Sequence, residues 1–222
     1  MRAEGTETLE QTIYRFKRPS RGGTGKIYLG REIARVFGHR AAWWLDRPTR
    51  EAEERPSLVV ENLDLRPDNI VADIGTGTGY FTFLISPIVP RGEVIAVDIQ
   101  PEMLDAIEAR AQELGMSNVT AVLGEITDPK LPPSHVDLVL MVDAYHEFSH
   151  PREMMGAIVA SLKKGGRVVL VEYRGEDKAS EIKPLHRMTE SQVRKEMAAV
   201  GLRWVETKGV LPLQHLMIFE KP

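Results

Sequence analysis

The sequence predicts an α/β protein: a three-layer sandwich on a mostly parallel seven-stranded sheet, with an antiparallel hairpin at its C-terminal edge and a helical N-terminal extension. Three observations carry this. From Pro67 onward, short apolar runs alternate with amphipathic helical stretches, the pattern of βαβ units. The first of these runs enters a glycine-rich turn that opens the next helix. The last two runs follow one another with no helix between them, which calls for an antiparallel return.

In chain order, residues 1–65 are expected to form an N-terminal tail and helical lid, and residues 66–222 the main domain. The first 26 residues are polar and end in Ser20-Arg21-Gly22-Gly23-Thr24-Gly25, read as a tail and linker without a strand. Ile33, Val36 and Phe37, then Trp43 and Trp44, mark one short helix, a break at Gly38 and a second short piece. Asp46-Arg47-Pro48 reads as a helix start with proline in the first turn; that helix runs to about Leu63, with Leu58, Val59 and Leu63 inward. Strands are predicted over residues 70–73, 94–98, 119–123, 136–142 and 167–172, with helices over 102–114 and 152–162 between them. A helix over residues 191–200 stops at Gly201, a residue suited to the left-handed position after a helix. Residues 202–208 and 215–220, separated by Gly209 and Pro212, are the closing hairpin.

The 222 residues suit one domain with a full core. Cysteine is absent, which excludes disulfides, thiolate nucleophiles and cysteine-held zinc or iron–sulfur clusters. The central apolar run, residues 138–142, is far too short to cross a bilayer, so no membrane partner is expected. The N-terminus lacks the apolar core of a secretory signal, and the cytoplasm is the expected compartment. A net charge of -3 argues against a large nucleic-acid footprint. Residues 1–50 nevertheless carry eleven Lys and Arg against five Asp and Glu. Such a basic arm meets an anionic substrate or RNA, or pairs with the acidic body of its own chain.

The turn Asp73-Ile74-Gly75-Thr76-Gly77-Thr78-Gly79 joins strand to helix. Glycines permit the reversal and let backbone N–H groups approach a ligand, and the following helix points its N-terminus at the same place. Asp98 ends the next strand, where an acid can accept hydrogen bonds from ribose hydroxyls. A dinucleotide fingerprint would need a third glycine where Tyr80 stands, and no Lys-Ser/Thr follows for a triphosphate loop. Asp73, two positions before the first glycine, suits a cationic ligand group better than a diphosphate.

VADIGTGTGYFT and VIAVDIQPEML resemble the cofactor-binding motifs of class I, Rossmann-like S-adenosylmethionine-dependent methyltransferases, and Leu162-Lys163-Lys164-Gly165-Gly166 is similar to an element that family carries before its fifth strand. The likeness spans residue 67 to the C-terminus. It implies S-adenosylmethionine as cofactor, with Asp73, Gly75, Thr76, Gly77, Gly79 and Tyr80 around its methionine end. By the same likeness Asp98 and Ile99 lie at the ribose, Glu125 and Ile126 at the adenine, and Asp143 beside the cofactor.

The acceptor is expected beyond the fourth strand, at Asp143-Ala144-Tyr145-His146-Glu147-Phe148. His146 is the candidate general base, because its unperturbed pKa lies near working pH, and Glu147 a candidate to orient it. Arg174 and His186 are further candidates for substrate contact; Tyr28, Trp43 and Trp44 are candidates for a lid, bringing Arg31, Arg35, Arg40 and Arg47 over the cleft. No metal site is expected: a set of Asp143, His146 and either His186 or His215 draws on residues far apart, without close ligand spacing. The function implied is methyl transfer to an oxygen or nitrogen of a small-molecule acceptor. Alternatives are a protein or RNA methyltransferase, a non-catalytic S-adenosylmethionine-binding protein, and a nicotinamide oxidoreductase. A homodimer is one open assembly.

Overall fold

The computed structural model describes residues 13–36 and 38–222, without the side chains of Arg40 and Ala41. Phe37, the Arg40 side chain and the first twelve residues of the expected tail lie outside the described residues.

The apolar runs form the central sheet. Its strands are β4 (Ile70–Ile74), β5 (Glu93–Asp98), β6 (Val119–Leu123), β7 (Val136–Val142), β8 (Leu162–Tyr173), β9 (Arg203–Lys208) and β10 (Gln214–Glu220). Their order is β6-β5-β4-β7-β8-β10-β9, parallel except that β10 pairs antiparallel with both β8 and β9. Residues 71–74 of β4, 138–141 of β7 and 168–171 of β8 are buried, and apart from Asp73 they read as apolar runs. Helices α4 (Pro101–Glu113), α5 (Pro151–Ser161) and α6 (Glu190–Ala198) connect the strands. One core packs Ile74, Met141, Met155, Ile158 and Met197, a second Val59, Leu63, Phe81, Leu138 and Ile218, and a third Phe83, Ala96, Leu104 and Ile107. The chain runs outward from β4 to β6, then returns to lay β7 on the other side of β4. This reversal opens a crevice at the carboxyl ends of β4 and β7, the place where open α/β sheets bind ligands.

The N-terminal segment corrects the expectation of a strandless, helical arm. Strands β1 (Tyr14–Phe16), β2 (Gly23–Tyr28) and β3 (Arg31–Ala34) form a separate antiparallel sheet. Tyr28 pairs with Arg31 across a two-residue turn, Leu29-Gly30, whose φ angles are both positive. That is the hairpin geometry that matches strand twist, and the glycines around it disfavour helix. Tyr14, Tyr28 and Ile33 make its small core.

The helix expected to run to Leu63 is also split. It forms α1 (Arg50–Glu54) and α2 (Pro56–Glu61), with Arg55 between them at φ 56. Pro56 removes a helical N–H and disfavours helical backbone in the residue before it. Helix α3 (Tyr80–Ile85) follows the glycine loop. Among the described residues no helix is long and apolar enough to cross a membrane.

Candidate active site

The crevice is a cleft of about 540 Å³, within the size range of small-molecule sites. One end is built by the glycine loop. Gly75 and Thr76 donate their N–H groups to the Val97 carbonyl, tying the turn to the end of β5. Asp98 is buried; its Oδ2 accepts from Gly77 N at 3.0 Å and its Oδ1 from Gln100 N at 2.9 Å. Burial raises its pKa, while those N–H groups work to lower it. The Ile99 N–H also bears on this carboxylate, and its remaining acceptor capacity suits ligand hydroxyls. Val97, Ile99, Met103, Gly124 and Ile126 add a largely apolar wall beside it. Ile99 and Ile126 are among the exposed large apolar side chains of the chain, a state that a flat aromatic ligand would relieve.

Asp73 is placed differently from expectation. Its Oδ2 accepts from Thr76 Oγ1 at 2.9 Å and Thr82 Oγ1 at 2.7 Å, and it is fully enclosed behind the loop. Burial raises its pKa. It holds the turn's shape and does not line the cleft, and neither do Thr76, Gly79, Tyr80 or Glu125. Tyr80 lies against the Arg50 guanidinium, 4.5 Å from ring centroid to cation, and Glu125 pairs with Lys130 at 2.9 Å. Gly79 caps α3 at φ 79.

Beyond Gly75 and Gly77 the cleft meets the loop after β7. A Cβ on Gly75 would come within 2.7 Å of Ala144 Cβ, so the two loops touch. Asp143, at φ 49, accepts from Gln214 Nε2 at 2.7 Å through Oδ2, while its buried Oδ1 has no hydrogen-bond partner. Burial and then the neighbouring Glu172 and Glu54 carboxylates raise its pKa. An orphaned carboxyl oxygen in this setting fits a cationic ligand group.

The far end holds His146. The turn Tyr145–Glu147 buries its ring; Nδ1 meets Glu172 Oε2 at 2.6 Å and its backbone N donates to Glu172 Oε1 at 3.1 Å. Its Nε2 faces His186 Nδ1 at 3.0 Å and Glu147 Oε1 at 3.6 Å. Burial works to lower the His146 pKa, but Glu172 and then Glu147 outweigh it and push it up to about 10. These acids favour the protonated form of the imidazole. Glu172, fully buried, is the functional residue that sequence reasoning does not reach; its signal is a lone acid in the apolar run Val168 to Tyr173.

The cover over the cleft is smaller than expected. Trp43, Trp44, Leu45, Arg47, Arg50 and Glu54 line it. Tyr28 instead packs in the N-terminal core, Arg35 donates to the Gly23 carbonyl, and Arg31 pairs with Glu196. Arg47 reaches the cleft but is paired with Glu53 and Glu54. Arg174 is committed to the Leu211 and Pro212 carbonyls, and His215 to Glu176, so neither enters the site.

Known proteins place the chain in a family and a fold. Residues 65–212 match the family described as Methyltransferase domain. The chain is 30% identical over 137 residues to the Bacillus subtilis protein named uncharacterized methyltransferase YcgJ, covering 62% of this chain and 53% of that one. It is 32% identical over 118 residues to the ubiquinone/menaquinone biosynthesis C-methyltransferase UbiE of Ectopseudomonas mendocina, covering 52% and 46%. It thus spans about half the length of the curated relatives it matches. A solved structure described as a SAM dependent methyltransferase from Aquifex aeolicus superposes with a TM-score of 0.79 at 24% identity, over 84% of this chain and 100% of that one, a likeness of fold.

Proposed function

The chain belongs to the methyltransferase-domain family, and from that premise we propose that it transfers a methyl group from S-adenosylmethionine to an oxygen or nitrogen of a small-molecule acceptor. The observation that carries this reading is the continuity of one cleft from Asp98 to His146. The residues present fit the cofactor. Asp98 would accept from the ribose hydroxyls, Ile99, Met103 and Ile126 would flank the adenine, and the orphaned Asp143 Oδ1 would meet the ammonium of the methionine part. Bound there, the cofactor supplies an electrophilic methyl carbon on a sulfonium.

The chain's own groups then position the acceptor. Glu172 fixes the His146 ring, which lines the cleft, and Glu147 and His186 flank its Nε2. An acceptor with an ionisable oxygen is oriented by this cluster, in line with the methyl–sulfur bond. Trp43 and Trp44 cover the opening and limit access of water. The relative named as a C-methyltransferase supports a second reading, an activated carbon as the acceptor atom, since the same cluster would hold an enol oxygen.

Calorimetry with S-adenosylmethionine, its demethylated product and NAD tests the cofactor assignment; the two sulfur compounds bind and NAD does not. Micromolar NAD binding with none for either sulfur compound overturns it. Turnover on a panel of phenols, enols and amines, measured as release of the demethylated cofactor, then tests the transfer. Cofactor binding without turnover on any of them would favour a binding protein.

A further inference from the structure

We propose that His146, Glu147 and His186 form a binding site for a first-row divalent cation of the Zn²⁺, Fe²⁺ or Co²⁺ kind at the acceptor end of the cleft. Their three donor atoms converge. His146 Nε2 and His186 Nδ1 are 3.0 Å apart, and Glu147 Oε1 is 3.6 Å from the first and 3.5 Å from the second. Edges of this length are those of one face of a tetrahedral or octahedral coordination shell: an ion near its centre sits about 2.1 Å from each donor, the usual distance to imidazole nitrogen and carboxylate oxygen. Two imidazoles and one carboxylate select first-row transition ions over Mg²⁺ or Ca²⁺.

A second, independent observation supports the site. His146 Nδ1 is engaged by the fully buried Glu172 carboxylate at 2.6 Å, which leaves Nε2 as the nitrogen aimed at the cluster. This carboxylate–histidine pairing is the usual outer support of a metal-ligating histidine. The surroundings agree, since the carboxylates of Glu147 and Glu172 both flank the His146 ring. Ligands come from two separate turns, Tyr145–Glu147 and Pro184–His186, so the set has no short sequence spacing.

All three ligands line the cleft, which leaves the ion's remaining positions open on that side. There it would act as a Lewis acid on an acceptor oxygen, holding it as the anion. This last role rests on the proposed methyl transfer; the ion site itself does not.

The test uses tag-free protein treated with a chelator and titrated with Co²⁺, read by the visible absorption of the bound ion. One Co²⁺ per chain is expected. His186→Ala and Glu147→Gln each weaken binding by more than about tenfold, and Glu172→Gln, which removes no ligand, by about 10- to 100-fold. His135→Ala, at the opposite end of β7, leaves it unchanged. Absence of a protein-dependent Co²⁺ spectrum overturns the proposal, as does equal affinity in wild type, His186→Ala and Glu147→Gln. Calorimetry with S-adenosylmethionine on the same proteins separates the two readings: cofactor binding without Co²⁺ binding removes only the ion, and Co²⁺ binding without cofactor binding removes only the methyltransferase.

Discussion

Arg31, on the N-terminal sheet, donates from Nη1 to the backbone carbonyl of His146 at 2.9 Å. Its Nε and Nη2 reach the two oxygens of Glu196 at 2.9 Å each, and Glu196 Oε2 also accepts from Tyr145 OH at 2.7 Å. The N-terminal sheet is therefore a brace for the turn that carries His146. Arg31→Ala leaves the fully buried Glu196 without its cation, which destabilises the fold by about 3–5 kcal/mol. Arg31→Lys keeps a charge but loses the two-pronged contact, and its loss should be smaller. Denaturant midpoints for the two variants check the order; equal midpoints for Arg31→Ala and wild type would detach the sheet from the site's support.

Asp73 and Asp98 are both buried acids at the glycine loop, and they should respond oppositely. Asp98 reaches the cleft, so Asp98→Ala weakens S-adenosylmethionine binding by about 1–3 kcal/mol while the fold persists. Asp73 is turned to Thr76 and Thr82, whose hydroxyls also meet each other at 2.9 Å, so Asp73→Ala removes the shared acceptor of that enclosed pair and lowers stability by about 1–3 kcal/mol. Calorimetry and thermal unfolding on the pair distinguish the roles. A larger effect of Asp73→Ala than of Asp98→Ala on affinity at matched folded fraction would reverse them.

The sheet is legible in the sequence because β4, β5, β7 and β8 are buried, and burial writes itself as apolar runs bounded by turns. The loop glycines and Asp98 are legible because their spacing is local. Glu172 is not, and neither is the pairing of His186, a named candidate, with His146, because these residues meet His146 across 26 and 40 residues of chain and no period or spacing links them. The strands β1 to β3 escape a reading that takes Gly22, Gly23 and Gly25 as linker; the two-residue turn at Leu29-Gly30 is the signal for a hairpin there. Asp73 shows a different limit. The sequence places an acid beside the loop, but only packing decides that Thr76 and Thr82, and not a ligand, occupy it.

Glu32 ties that N-terminal sheet together. It pairs with Lys17 at 2.7 Å and accepts from Ser20 N, Ser20 Oγ and Gly25 N, and these contacts, Lys17 first, lower its pKa from 4.5 to about 2. A carboxylate whose folded pKa is depressed contributes stability that is fully present above about pH 4.5 and lost as pH falls through about 2. Hydrogen exchange of residues 14–34 should therefore accelerate between those limits, before the central sheet opens. Glu32→Gln should already show that faster exchange at pH 6 and little further change on acidification. An acid response of equal size in Glu32→Gln would assign it to other carboxylates.

Gly75 and Gly77 both sit at positive φ, at 71° and 56°, yet an added Cβ meets different neighbours. At Gly77 it would lie 2.6 Å from Leu45 Cδ1, the far end of a flexible side chain in the cleft's cover. At Gly75 it would lie 2.7 Å from Ala144 Cβ, an atom fixed by backbone. Left-handed strain of roughly 1–2 kcal/mol is common to both alanine variants. Gly77→Ala adds only a displaced Leu45, so its stability loss should stay near that figure. Gly75→Ala must also push the loop after β7, moving Asp143 and His146 away from the glycine loop, so it should lose more stability and more cofactor affinity. Removing the obstacle tests this directly: in a cycle of Gly75→Ala, Ala144→Gly and the double variant, the double should recover the steric part and leave the strain, a coupling of about 0.5–3 kcal/mol. Strict additivity would mean that the two loops do not press on each other, and that the requirement for glycine at 75 is conformational alone.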